Sequence, residues 1–290
     1  MKTERHDKLS LFTRREMLRL GAASVLALGL PSRALFGKNE TDCSETNHAG
    51  EFTFVVANDL HFRDERCRPW LEAVARAMQR HKPDFCVLNG DLSENGNAVQ
   101  LASVREIFAS INAPVHVTIG NHDYATDADR EAFEEIFPNS LNYTFTHKNW
   151  QFVALDSTQG QRVFYTRVQQ PALSWLDETL PRLDKNKPTV LFTHFPLGAR
   201  VLCRPLNAPM VAQRFQNYNL RGVFNGHWHG YSLRESGVAK IVTGRCCSSW
   251  RKNNDGSKDK GFFLCRTKSD GKIIREFCVI KSVSSVTQMS

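Results

Sequence analysis

From residue 51 onward, short apolar runs alternate with segments of helical period, and that rhythm restricts the possible folds more than any other feature of the chain. Phe52–Ala57 reads as a strand and Pro69–Arg80 as a helix with Trp70, Val74 and Met78 on one face. The series continues with a strand at Phe85–Leu88, a helix over Ala98–Ile111, a strand at Val115–Ile119 and a helix over Asp127–Phe137 with acids in its first turn. Repeated βαβ units imply a parallel sheet. The middle changes character: Asn142–Thr146 and Phe152–Leu155 read as a hairpin. They are followed by a helix at Pro171–Leu183, a strand at Thr189–Thr193, a short helix near Val211–Tyr218 and a strand at Gly222–Phe224. The rest is nearly all strand, over Tyr231–Arg234, Ala239–Val242, Gly261–Arg266 and Ile273–Ile280. Parallel strands first and antiparallel strands last predict an α/β protein of two packed sheets with helices outside.

Five polar clusters stand directly after predicted strands, where open α/β sheets place their ligands. They are Asp59-Leu60-His61, Gly90-Asp91, Gly120-Asn121-His122-Asp123, His194, and Gly226-His227-Trp228-His229. In an extended segment residues two apart share a face, so Asp59 with His61, and His227 with His229, are expected to reach one site in pairs. Asp59, His61, Asp91, Asn121, His194, His227 and His229 make seven donors on five strand ends, more than one ion requires. Shared through one bridging carboxylate they suit two ions, and mixed oxygen and nitrogen donors favour Fe, Mn or Zn over Mg or Ca.

The order and placement of these clusters, from about Phe52 to His229, resemble the calcineurin-like metallophosphoesterases. The resemblance implies a four-layer α/β/β/α sandwich of two mixed sheets with a two-metal centre between them. Asp59, His61 and His229 would hold one metal, Asn121, His194 and His227 the other, and Asp91 would bridge. It further implies hydrolysis of a phosphoester by a hydroxide bridging the metals, with His122 protonating or stabilising the leaving oxygen. Glu94, three residues after Asp91, could orient His122; the purple acid phosphatase branch has an iron-binding tyrosine there. Two positions depart from the usual pattern without removing a ligand. Asn58 replaces a small hydroxyl residue, and His194-Phe195-Pro196 replaces a double histidine. Leu155-Asp156-Ser157, Gln170, Leu173, Trp175-Leu176, Thr243-Gly244, Gly261-Phe262 and Asp270-Gly271 look like the class III cyclic-nucleotide phosphodiesterase and glycerophosphodiesterase branch. Phosphodiesters are therefore the expected substrates. A phosphomonoesterase or nucleotide pyrophosphatase is the alternative, and a non-catalytic scaffold would be expected to lack several of the eight site residues.

Around that site Arg200, Arg204, Arg245 and Arg251 offer guanidinium groups for phosphate, with Arg245 the preferred candidate after Thr243-Gly244. Trp228 and Trp250 could stack on a base or pack on neighbours. The net charge is +8, but half of it falls within residues 1–34 and the body has no Lys/Arg run, which argues against a nucleic-acid polymer as partner.

Residues 1–34 read as an export signal. A basic start leads to Thr13-Arg14-Arg15-Glu16-Met17-Leu18, then the mildly apolar Gly21–Leu30, then Ser32-Arg33-Ala34 with cleavage after Ala34. The paired arginines resemble a twin-arginine signal, which implies a periplasmic protein that meets the export machinery and stays at the membrane if uncleaved. The remaining boundaries are a linker at 35–50, one domain over 51–283 and a tail at 284–290. No apolar run is long enough for a membrane span. None of the eight cysteines forms a Cys-x-x-Cys pair. Cys86, Cys265 and Cys278 read as buried hydrophobes, whereas Cys67, Cys203, Cys246 and Cys247, in polar connections, are open to oxidation. Cys43 also lies beyond the cut, and oligomeric state is not legible.

Overall fold

The computed structural model describes residues 50–281. The export segment with its cleavage point, nearly all of the linker, Cys43 and the tail lie outside the described residues. Eleven strands form two sheets: β1 (Thr53–Ala57), β2 (Phe85–Asn89), β3 (Val115–Thr118), β4 (Tyr143–His147), β5 (Trp150–Leu155), β6 (Thr189–Thr193), β7 (Leu220–Asn225), β8 (Ser232–Ser236), β9 (Ala239–Thr243), β10 (Gly261–Thr267) and β11 (Ile273–Val279). The helices are α1 (Arg68–Arg80), α2 (Ala98–Phe108), α3 (Glu131–Ile136), α4 (Gln170–Thr179) and α5 (Ala208–Arg214).

The first sheet has the order β11-β10-β1-β2-β3 and the second β4-β5-β6-β7-β9-β8. In each, a parallel centre carries antiparallel strands at its edge: β1, β2 and β3 run parallel, as do β5, β6 and β7. The last four strands are not the uniform antiparallel group expected. β10 and β11 close the first sheet, whereas β9 joins the second sheet parallel to β7, with β8 antiparallel outside it.

Alternation along the strands builds the layers. On β1, Val55 and Ala57 pack toward α1 and α2, while Phe54 and Val56 point to the opposite sheet; on β2, Cys86 and Leu88 face the helices and Phe85 and Val87 the partner sheet. On β5 and β6, Phe152, Val190 and Phe192 face inward, and Val153, Leu155 and Leu191 pack with α4 and α5. The central seam is thus largely aromatic, with Phe54 stacked on Phe85 at 5.2 Å between ring centroids and edge-on to Phe224 at 5.8 Å. Helices, sheet, sheet and helices follow in turn, the four-layer arrangement expected.

The helices α2 and α4 end earlier than their periodic reading, at Phe108 and Thr179, and two others begin away from their expected first residue. Residues 127–130 form a turn closed by the Ala125 N–H donating to the Asp129 carbonyl, so α3 starts only at Glu131. Pro209 sits in the first turn of α5, where its missing N–H and fixed φ favour an N-terminus, and this moves the helix toward the N-terminus of its expected span.

Candidate metal centre

The strand ends after β1, β2, β3, β6 and β7 converge, and all seven candidate ligands are buried there. Their local geometry is not extended. Asp59 (φ 57°), His61 (φ 49°), Asp91 (φ 51°), His227 (φ 65°) and His229 (φ 48°) lie in the left-handed region. That region is unfavourable for residues with a Cβ, and its repetition in one place marks a backbone overruled by its surroundings. Asp59 and His61 do reach one site, as do His227 and His229, but through successive left-handed kinks rather than strand alternation.

Backbone and side-chain bonds hold those kinks across both sheets. The Asp59 N–H donates to the Gly90 carbonyl at 3.0 Å and the His61 N–H to the Asp91 carbonyl at 2.9 Å. The His227 N–H donates to Asp59 Oδ1 at 2.9 Å. Gly90 has φ +79°, and a Cβ there would sit 2.3 Å from Nδ1 of His194, so the turn admits only glycine. Three further polar residues, given no role from sequence, complete the frame. Asn89 Nδ2 donates to the carbonyls of Thr193 and Phe224 on the second sheet, at 3.2 and 3.1 Å, while its Oδ1 accepts from Thr118. Asp123 accepts the N–H groups of Gly120, Leu92 and Ser93, pinning the Asp91 turn to the Asn121 turn. Asn58, noted as a departure, bonds Asp59 and the Gly244 and Arg245 carbonyls. Buried polar residues beside a strand end were the available signal for these three.

Each of the four candidate histidine ligands gives one nitrogen to an acceptor outside and turns the other inward. His61 Nδ1 meets Glu94 Oε2 at 2.9 Å, His194 Nδ1 the Asn89 carbonyl at 3.2 Å, His229 Nδ1 the Lys252 carbonyl at 3.4 Å, and His227 Nε2 the Val163 carbonyl at 3.1 Å. Inside, Nε2 of His61 lies 3.0 Å from Nε2 of His229 and 3.5 Å from Asp91 Oδ2. His229 Nε2 is 3.3 Å from Asp59 Oδ1, and His194 Nε2 is 3.2 Å from Asp91 Oδ1. Asp59, His61, Asp91 and His229 form one group able to hold an ion; Asp91, His194 and His227 form another. Asp91 is common to both. The buried atoms without a hydrogen bond among the described residues include Asp91 Oδ2, Asn121 Oδ1, His194 Nε2 and His227 Nδ1. Orphans of this kind are costly unless something satisfies them, and their mixed donors suit a transition-metal pair.

The electrostatics of the cluster are those of closely opposed charges. Burial alone would raise the carboxyl of Asp59, but His229 and His194 beside it bring it down to about 2; burial likewise opposes the charge on Asp91, and His194 and His122 hold it well below the ordinary range. Burial works against a charged His194, yet Asp91 raises it to about 9, and Asp59 similarly raises His229. Burial lowers His61, and burial together with nearby His194 lowers His227 to about 3.

His122 stands at the rim with its side chain 26% exposed, its backbone N–H on Asp91 Oδ1 at 2.9 Å and its Nδ1 on the Glu94 carbonyl at 2.9 Å. The Glu94 carboxylate does not orient it: Oε1 is 3.9 Å from His122 Nδ1, while Oε2 is bonded to His61. The expected phosphate role of Arg245 also changes, because its guanidinium is taken by Asp255 at 2.8 Å and approaches Asp259 at 3.4 Å. Arg204 donates to the Leu197 carbonyl, and Arg251 is paired with Glu94. Trp250 packs on its neighbours, with the guanidinium groups of Arg63 and Arg251 over its ring and its indole N–H on the His61 carbonyl. Cys67, Cys203, Cys246 and Cys247 are buried thiols, and none of them is bonded to another cysteine among the described residues.

The sequence profile of the calcineurin-like phosphoesterases matches residues 52–231. The chain belongs to that family. This calcineurin-like phosphoesterase is 30% identical over 128 residues to a probable cyclic nucleotide phosphodiesterase of Synechococcus, a stretch covering 44% of this chain and 48% of the relative. It is 30% identical over 121 residues to a probable glycerophosphodiester phosphodiesterase of Arcobacter nitrofigilis, covering 40% and 42%. The matched stretch is thus a little under half of either relative. Among solved structures, a dimetal phosphatase from Danio rerio shares the fold with a TM-score of 0.62 at 16% identity, over 78% of this chain and 98% of that one.

Proposed function

We propose that the protein is a binuclear metal-dependent phosphodiesterase acting on small phosphodiesters of cyclic-nucleotide or glycerol type. The observation that carries this reading is the gathering of four imidazoles around a carboxylate common to two donor groups, with Asn121 Oδ1 buried and without a hydrogen bond among the described residues. Asp59, His61 and His229 would hold one ion, Asn121, His194 and His227 the other, and Asp91 both, with Fe, Mn or Zn the metals this donor set suits. When bound, such a pair supplies positive charge for phosphate oxygens and lowers the pKa of water that attacks phosphorus. The chain's own part is to hold each imidazole in one tautomer through an outer acceptor and to keep the pocket's donors fixed before substrate arrives. His122, outside both donor groups of the centre and partly exposed, is placed to give a proton to the departing oxygen. The names of the two relatives support a phosphodiester over a monoester or pyrophosphate.

Arg14 and Arg15 further support a periplasmic location reached as a folded, metal-loaded protein. The deciding assay is turnover of metal-loaded protein on bis(p-nitrophenyl) phosphate, a cyclic nucleotide, glycerophosphocholine, p-nitrophenyl phosphate and a nucleotide diphosphate ester. Faster turnover of the diesters is expected. Preference for the monoester or the pyrophosphate bond would replace the reading, and no turnover on any would favour a non-catalytic role.

A further inference from the structure

The Trp250-Arg251 loop grips His61 twice. Trp250 donates its indole N–H to the His61 carbonyl at 3.1 Å, holding a residue whose φ is +49°. Arg251 lies over the same indole, its guanidinium carbon 4.8 Å from the ring centroid, and pairs through Nη2 with Glu94 Oε1 and through Nε with Oε2 at 3.3 Å. Glu94 Oε2 in turn meets His61 Nδ1 at 2.9 Å. The Glu94 side chain is only 14% exposed, and its backbone N–H is fixed on the Phe62 carbonyl at 3.0 Å, so the carboxylate has little freedom. Arg251 lies beyond residues 52–231, so nothing in the shared family stretch assigns it a role.

We propose that Arg251 is a positioning residue for His61, acting through Glu94, and that it sets the affinity of the ion His61 helps to hold. The inference rests on the metal centre proposed above. A guanidinium fork fixes both oxygens of a carboxylate in one plane. With both Glu94 oxygens occupied, one of them faces Nδ1 of His61 and keeps the proton there, leaving the Nε2 lone pair aimed at the cluster. A carboxylate behind a metal-bound imidazole contributes roughly 10- to 100-fold in metal affinity, and without Arg251 that carboxylate can rotate away. Arg63 supplies an internal comparison. It stacks on the same indole at 4.5 Å but bonds Asp64, not Glu94.

The test is calorimetric titration of Mn²⁺ into metal-stripped full-length protein, for wild type and for Arg251→Met, Arg251→Lys, Glu94→Gln, the Arg251→Met/Glu94→Gln pair and Arg63→Met. Wild type is expected to bind two ions. Arg251→Met should weaken one of the two by about 10- to 100-fold and leave the other unchanged. Arg251→Lys should fall between, the double variant should lose little more than Glu94→Gln alone, and Arg63→Met should behave as wild type. Unchanged affinity for both ions in Arg251→Met overturns the proposal. So does equal weakening of both ions in Arg251→Met and Arg63→Met, which would mean general loosening of the loop. A raised KM for bis(p-nitrophenyl) phosphate with both affinities intact would make Arg251 a substrate contact instead. A wild-type protein that binds no Mn²⁺ would overturn the metal centre itself, an outcome distinct from the others.

Discussion

His122 and its neighbours divide the labour of the site by which nitrogen they commit. The candidate histidine ligands point their second nitrogen inward, whereas His122 spends Nδ1 on the Glu94 carbonyl and stays partly exposed. His122→Ala should therefore keep both metals and lose on the order of 10²- to 10⁴-fold in turnover. The loss should shrink for p-nitrophenolate, a leaving group that needs little protonation; equal losses for good and poor leaving groups would show that His122 stabilises charge without donating a proton. The charged histidines make a second expectation. In metal-free protein His194, raised to about 9, and His229, raised by Asp59, carry protons at neutral pH, whereas His227, lowered to about 3, does not. A metal must displace the protons of the first two and none from the third. Loading at pH 7 should release protons into a weakly buffered dye solution, and apparent affinity should rise with pH until about 9. Affinity that stays flat from pH 6 to 9 would contradict the ion-pair geometry.

The loop after β2 shows how an element end becomes a site. Cys86 and Leu88 anchor β2 against the helices, Phe85 and Val87 against the other sheet, and Asn89 then bonds two carbonyls of that sheet. The chain must turn at once, and Gly90 does so at φ +79° with the His194 ring packed against its α-carbon. Gly90→Ala places a methyl within the ring's contact distance and adds left-handed strain of about 1–3 kcal/mol. The expected outcome is a folded protein with a lower unfolding midpoint and loss of the ion that His194 would hold, checked by urea denaturation and elemental analysis. Full metal content with unchanged stability would mean that the turn relaxes without disturbing His194.

Across the molecule, the candidate ligands come from both sheets: Asp59, His61, Asp91 and Asn121 follow strands of the first, His194, His227 and His229 strands of the second. Two bound ions would act as a clamp at one end of a seam otherwise closed by phenylalanine rings, and metal bound only by the folded state adds stability by mass action. Chelation should lower the thermal midpoint by several degrees while the far-ultraviolet dichroism of the folded state persists, because the aromatic seam does not depend on the ions. Asp91→Ala should reproduce the chelated midpoint and bind neither ion, since both donor groups include it. A variant that retains one ion at full occupancy would show that Asp91 serves a single site.

Strand and helix order, the two-sheet class and the placing of all seven candidate residues at strand ends were legible in the chain, because alternation of apolar residues is a local consequence of burial and each polar cluster directly follows an apolar run. Tertiary structure alone decided the rest. Asp59 and His61 share a site through left-handed kinks, held by Gly90 and Asp91 carbonyls some thirty residues away. The Glu94 carboxylate turns to His61 instead of the nearer-sequence His122, and it is also bonded by Arg251, 157 residues on. The placement of β9 beside β7 and the occupation of Arg245 by Asp255 depend equally on which segments meet. Local pattern specifies which face of an element is apolar; the partner of a polar side chain is set by contacts between distant segments, which spacing along the chain does not encode.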